Sequence, residues 1–272
     1  MSLLLAAQSL HAADVWVFRN SDAVPLTGSC NTLESRDEIV LQNLAVSDVR
    51  VRVLGISNET PVDSGTQLAV PAGRTVTIDY ARPTWFTRDT AARWWVVRLD
   101  VPDSVLVASR LDLGTVGCPL PQPPTFAPNR GRVALPVFRS LIAANTPQRH
   151  LSTDTGARNA TLTAVIFNAS NSNAMAHVQL WRACDDTVVA ERSLAISANT
   201  VEALSFPLAI ACETPARSVL ANGFTYYTIV TMDQPSLSLV MSTANLVAPS
   251  GDVTVATMVP QAPAIRTRSA RP

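Results

Sequence analysis

Chemistry at neutral pH needs a base, a nucleophile or a ligand set, and this chain offers few places to find one. Its histidines are His11, His150 and His177. His150 lies in a polar stretch with Ser152, Thr153 and Asp154, the residue types of a Ser-His-Asp hydrolase. Such a site needs its three groups to converge in space. Neighbours along one loop do not arrange that, and no GxSxG elbow is present. His177 falls in an alternating segment and is expected to face solvent. Asp185-Asp186, and Asp100 with Asp103, could join backbone carbonyls around calcium. No DxDxDG loop accompanies them, and adjacent acids beside strands ordinarily belong to turns. With 10 Gly in 272 residues there is neither a GxGxxG motif nor a phosphate loop. A non-enzymatic protein without catalytic residues, metal or cofactor is expected.

The aromatic residues are the best binding lead. Trp85 and Phe86 are flanked by Arg82 and Arg88, and an exposed Trp beside Arg stacks on a sugar ring or anchors a protein. The same residues serve equally to pack a sandwich core. Trp94-Trp95 opens an apolar strand in which adjacent side chains face opposite ways, so one is expected in the core and the other near the surface. Asn58, Asn159 and Asn168 each begin an Asn-x-Ser/Thr triplet, the acceptor pattern for glycosylation.

Four cysteines occur, Cys30, Cys118, Cys184 and Cys212, with no CxxC, which excludes zinc-ribbon and thioredoxin readings. Three pairings are possible. Internal repetition selects Cys30 with Cys118 and Cys184 with Cys212, each pair inside one half. The first would close nearly a whole domain and contribute on the order of 4 kcal/mol. Such bonds persist in oxidising compartments, so a secreted or cell-surface location is expected. Residues 1–13 read either as the back half of a signal peptide, lacking its positive start, or as a first strand. No run approaches the roughly 18 apolar residues of a spanning helix, and no membrane span is expected.

The elements that hold these residues repeat. Trp94 to Ser109 and Tyr227 to Ser242 match at a constant offset, with Asp100-Val-Pro102 over Asp233-Gln-Pro235. Both triplets read as turns between apolar strands. Val105 to Ser109 is almost wholly apolar, as expected of a central strand covered on both faces. Upstream, Asn43 and Asn168 each end a strand that precedes an alternating one, 48–53 and 177–181. Gly73 and Asn199 occupy matching turn positions, and both tolerate a left-handed backbone. Periodicity is two throughout, with one short helical turn expected near Thr87 to Ala92. Residues 119–131, crowded with Pro, read as a semi-rigid linker. The expected organisation is all-β: sandwiches at 14–118 and 132–260, and a flexible tail at 261–272. Apolar residues make up 47% of the chain and charged ones 15%, which excludes disorder. The 21 basic residues, all Arg, balance 21 acidic ones. Zero net charge and scattered Arg leave no footprint for nucleic acid.

The Asn-bearing strand end before an alternating strand, the small turn Pro71-Ala72-Gly73 and the Asp-x-Pro hairpin resemble tandem immunoglobulin-like modules of secreted and surface proteins from high-GC bacteria. The resemblance spans both halves. It implies two tandem immunoglobulin-like antiparallel sandwiches and a structural or interaction role, with copies of itself or other surface proteins as partners. Glycan binding through the Trp85 loop is the alternative.

Overall fold

The protein is described here from a computed structural model covering residues 12–20, 23–25, 32–57, 67–79, 94–116, 132–153, 160–183, 185–207, 224–244 and 254–258. Cys30, Cys118, Cys184 and Cys212, the Arg82–Arg88 loop with Trp85 and Phe86, the Pro-rich segment 119–131 and the tail 261–272 lie outside these residues. All regular structure among the described residues is strand. None of it is a helix long and apolar enough to cross a membrane.

Period-two sequences give strands with one face in a core, and four antiparallel sheets result. The first, sheet A, runs β10 (Val137–Phe138), β1 (Ala12–Asn20), β7 (Trp94–Pro102), β4 (Val49–Ile56), β5 (Gln67–Val70). Sheet B is built on β3 (Thr32–Asn43), which pairs with β2 (Ala23–Pro25), β6 (Thr75–Asp79) and β8 (Val105–Val116), and β8 pairs with β9 (Arg132–Leu135). Sheets A and B enclose one apolar core, with Val15, Val17, Val51, Trp95, Val97 and Leu99 against Ile39, Leu41, Ile78 and Val105.

The second pair repeats this plan. Sheet C runs β15 (Val201–Pro207), β12 (Ala160–Asn168), β17 (Ser236–Ala244), β18 (Thr254–Met258). Sheet D runs β11 (Gln148–Thr153), β16 (Phe224–Met232), β13 (Ala174–Arg182), β14 (Thr187–Ile196). Their core holds Leu162, Ala164, Ile166, Val178, Leu180, Phe206, Val230 and Val240.

Matching residues do matching work. Asn43 donates from Nδ2 to the carbonyls of Ser47 (2.8 Å) and Val70 (3.0 Å), and its Oδ1 accepts from the Ala45 amide (2.9 Å). Asn168 donates to Ser172 (2.7 Å), Ile196 (3.2 Å) and Ser197 (3.0 Å) and accepts from the Ser170 amide (3.0 Å). Each amide ties a hairpin turn to the edge strand beside it, which keeps buried backbone groups paired. Gly73 and Asn199 both hold the left-handed conformation, at φ 61° and 53°.

The second hairpin corrects the sequence match. Asp100-Val101-Pro102 ends β7, and Asp103-Ser104 makes the turn, whereas Asp233-Gln234-Pro235 is itself the turn. Asn43 faces Val105 and Asn168 faces Ser236, so Val105 corresponds to Ser236, not to Ser238. The sequence alignment slipped by two residues. A two-residue slip leaves every side chain on its own face, so the apolar positions still coincided.

A third apolar layer joins the pairs, and the sequence did not disclose it. The outer face of sheet A presents Phe18, Trp94, Val96 and Phe138, and that of sheet C presents Val165, Phe167, Leu237, Leu239 and Met241. Trp94 is therefore buried along with Trp95, with neither at the surface. Burying each large apolar side chain here contributes roughly 2 kcal/mol. The sheets stack in the order B, A, C, D. By contrast, on the outer face of sheet B Leu106 of β8 is 50% exposed, so β8, central in its sheet, is not covered on both faces at that position.

Ala12 and Ala13, at the end of the segment read as either a signal peptide or a first strand, belong to β1, paired with Pro102 and Val101. Residues 132–138, expected to open the second half, hydrogen-bond to the first: β9 pairs with β8, and β10 with β1. Pro136, which has no amide to donate, separates the two short strands.

Candidate functional site

The unusual chemistry of the described residues is a polar group inside the second core. His150 is not in a loop: it lies on β11 with no solvent exposure, facing Thr228 of β16. The stretch reads as a loop because its inward residues are polar. Gln148, two residues earlier, shares the inward face. Ser236 and Ser238 of β17 meet them from sheet C, and all four are buried.

The hydrogen bonds run in one direction. Gln148 Nε2 donates to Ser236 Oγ (3.1 Å), and Ser238 Oγ donates to Gln148 Oε1 (2.6 Å). Ser238 has a single hydroxyl proton, so toward His150 Nε2, at 2.7 Å, its oxygen must accept. The neutral imidazole therefore carries its proton on Nε2. Its Nδ1 is buried without a partner among the described residues, as is Thr228 Oγ1. Burial lowers the His150 pKa to about 4, because desolvation disfavours the charged ring. The Ser238–His150 contact lies within the core, with both side chains fully buried.

The sequence signal for this group was present in β17. Ser236-Leu237-Ser238-Leu239 alternates perfectly, and such alternation ordinarily means serines outside and leucines inside. Here the serines face the core of their own sandwich and the leucines face sheet A.

The outer face of sheet D holds the other cluster. Trp181 of β13 stacks on Tyr227 of β16, with centroids 5.6 Å apart and an interplanar angle of 10°. From the opposite flank, on β11, the Arg149 guanidinium lies 4.0 Å over the same Tyr227 ring. Tyr227 is thus held between two neighbours and is itself buried, so it offers no ring face to a ligand. Its hydroxyl donates to Asp186 Oδ1. Burial first, and Asp186 second, push its pKa up to about 12.

The acids singled out for calcium are otherwise engaged. Asp185 accepts from Arg182 and from Thr187 Oγ1 (2.8 Å), and these bonds, Arg182's first, hold its carboxyl at about 2. Asp186, at φ 56°, turns to Tyr227. Asp100 lies within β7 opposite Asp14 and Arg52, and Asp103 is in the following turn. No group of three His, Cys, Asp or Glu able to hold a metal occurs among the described residues. His177 is exposed as expected, and its Nδ1 is 2.9 Å from Ser193 Oγ.

No protein-family model matches the chain, and no curated protein matches it. Among solved structures it is similar to Bacteroides uniformis beta-glucuronidase 2 covalently bound to cyclophellitol-6-carboxylate aziridine. The identity is 10% over 92% of this chain and 31% of that one, with a TM-score of 0.19. Under a third of that protein's length is spanned, and a score so low carries no argument.

Proposed function

We propose that the chain is a non-enzymatic structural subunit of an exported assembly, built from two tandem immunoglobulin-like sandwiches. The observation that carries this reading is the apolar layer between sheets A and C. A chain whose second half is docked through Phe18, Trp94, Val165, Phe167 and Leu239 behaves as a single stiff block rather than as beads on a tether. A stiff block transmits geometry from one neighbour to the next, which is what an assembly subunit must do.

Export is supported by the cysteines of the sequence, whose internal repetition selects a Cys30–Cys118 disulfide with Cys184–Cys212 as its counterpart. Its partners would be copies of itself or other surface proteins.

Light scattering and negative-stain microscopy of the full chain over a range of concentrations test the reading. Ordered oligomers or fibres are expected, and a uniform monomer at every concentration would overturn it. Peptide mapping without reductant should recover Cys30 joined to Cys118.

A further inference from the structure

The buried polar group occupies four positions that are all valine in the first sandwich. Val17 pairs with Val97 on β7, and His150 with Thr228 on β16. Carried through the corrected register, Val15, Val17, Val105 and Val107 correspond to Gln148, His150, Ser236 and Ser238. Four valines on two strands of the first sandwich are matched in the second by four polar residues joined in one chain of hydrogen bonds. The chain runs through Gln148 and the two serines to His150 Nε2, and leaves His150 Nδ1 without a partner among the described residues.

The two strands concerned also differ in their support. In sheet A, β1 lies between β10 and β7, and Val15 and Val17 pack it onto sheet B. Among the described residues β11 is the edge strand of sheet D, paired with β16. Its inward attachment to sheet C runs through Gln148 and His150.

From this geometry we infer that β11 is an acid-released strand: neutral His150 clasps it to β17, and protonation of the ring at Nδ1 undocks it, baring the edge of β16. Among the described residues, the groups around His150 include no carboxylate to balance a charged ring. From β11 comes Gln148, and from β16 come Thr228 and Tyr226. From β17 come Ser236, Ser238 and Val240, and β18 carries no titratable residue. Tyr226 is the sole titratable side chain in this set, and none is a carboxylate. Arg149 belongs to the opposite face, over Tyr227. Solvent is the stable place for an imidazolium at this position, and the ring reaches it when the edge strand leaves. The gap between the ordinary His value of 6.5 and about 4 shifts the balance toward the released form by a few hundredfold, relative to neutral pH, once both forms are protonated.

Hydrogen–deuterium exchange of the full chain at pH 7 and at about pH 3.5, corrected for intrinsic exchange rates, tests this. Peptides over 148–153 should lose protection by on the order of a hundredfold at the lower pH, while β13 and β14 keep theirs. His150→Val, the residue of the first sandwich, should hold β11 protected at both pH values. If that variant fails to fold, the combined Gln148→Val, His150→Val, Ser236→Val and Ser238→Val protein takes its place. Retained protection of β11 in the wild type at low pH would overturn the inference. So would equal loss in the valine variant, or loss of β13 and β14 together with β11.

Discussion

The seam between β1 and β8 and the seam between β11 and β17 are the same joint made from different materials. In the first, Val15, Val17 and Val105 are wholly buried and interlock without direction. In the second, Gln148, His150, Ser236 and Ser238 are as deeply buried but joined by directed bonds. Apolar contact tolerates small displacements and is indifferent to pH. A chain of donors and acceptors fixes the register of two strands, and a proton added to its imidazole places a charge in the core. The fold thus needs burial at these positions, while the kind of side chain there sets how the joint responds to conditions.

The comparison breaks hardest if one polar group is placed in the wrong seam. Val17→His, with no serine or glutamine to meet it, should cost about 4 kcal/mol in urea unfolding. A loss under about 1 kcal/mol would mean the first seam is already wet. Next comes removal of one member of the polar set. His150→Ala should cost about 3 kcal/mol. The fourfold valine variant described above should lie within about 1 kcal/mol of wild type, or above it, as apolar replacements of buried polar groups often do. If the fourfold variant is as weak as the single one, the seams are not interchangeable.

Smaller again, and spread over pH, is the titration itself. The folded His150 pKa lies below its unfolded value, so the unfolded chain takes up the proton first. Stability is therefore undiminished above pH 6.5, falls as pH drops toward about 4, and levels off below that. The total loss is about 3 kcal/mol, read from urea midpoints at stepped pH. His150→Val should flatten this window, and an unchanged slope would assign the loss to other groups. The least effect is expected outside both seams. Leu106→Ser, on the outer face of sheet B, should change stability by no more than about 0.5 kcal/mol. The same change at the corresponding Leu237, beneath sheet A, should cost several times that.

Strands and turns were legible in the sequence because their determinants are local. The alternation from Val49 to Val53, the asparagines that end β3 and β12, and the left-handed Gly73 and Asn199 each act within a few residues of themselves. The layer between sheets A and C was not legible. Alternation tells which side chains share a face, but it does not tell which of two faces meets another sheet. For that reason one of Trp94 and Trp95 is expected near the surface from sequence, whereas both are buried. His150 escaped for the complementary reason. A strand whose inward residues are Gln and His carries no apolar period, and its partners lie far along the chain, at Ser236 and Ser238.

The short strands β9 and β10 carry a consequence for synthesis. One completes sheet B beside β8 and the other flanks β1 in sheet A, and both come from residues 132–138. A nascent chain that has reached only residue 118 therefore lacks, among the described residues, the strand beside β8 in sheet B and the one beside β1 in sheet A. Both are present once Phe138 has been made, and the next residues are those of the second sandwich. The order of translation so ties the finishing of one half to the beginning of the other.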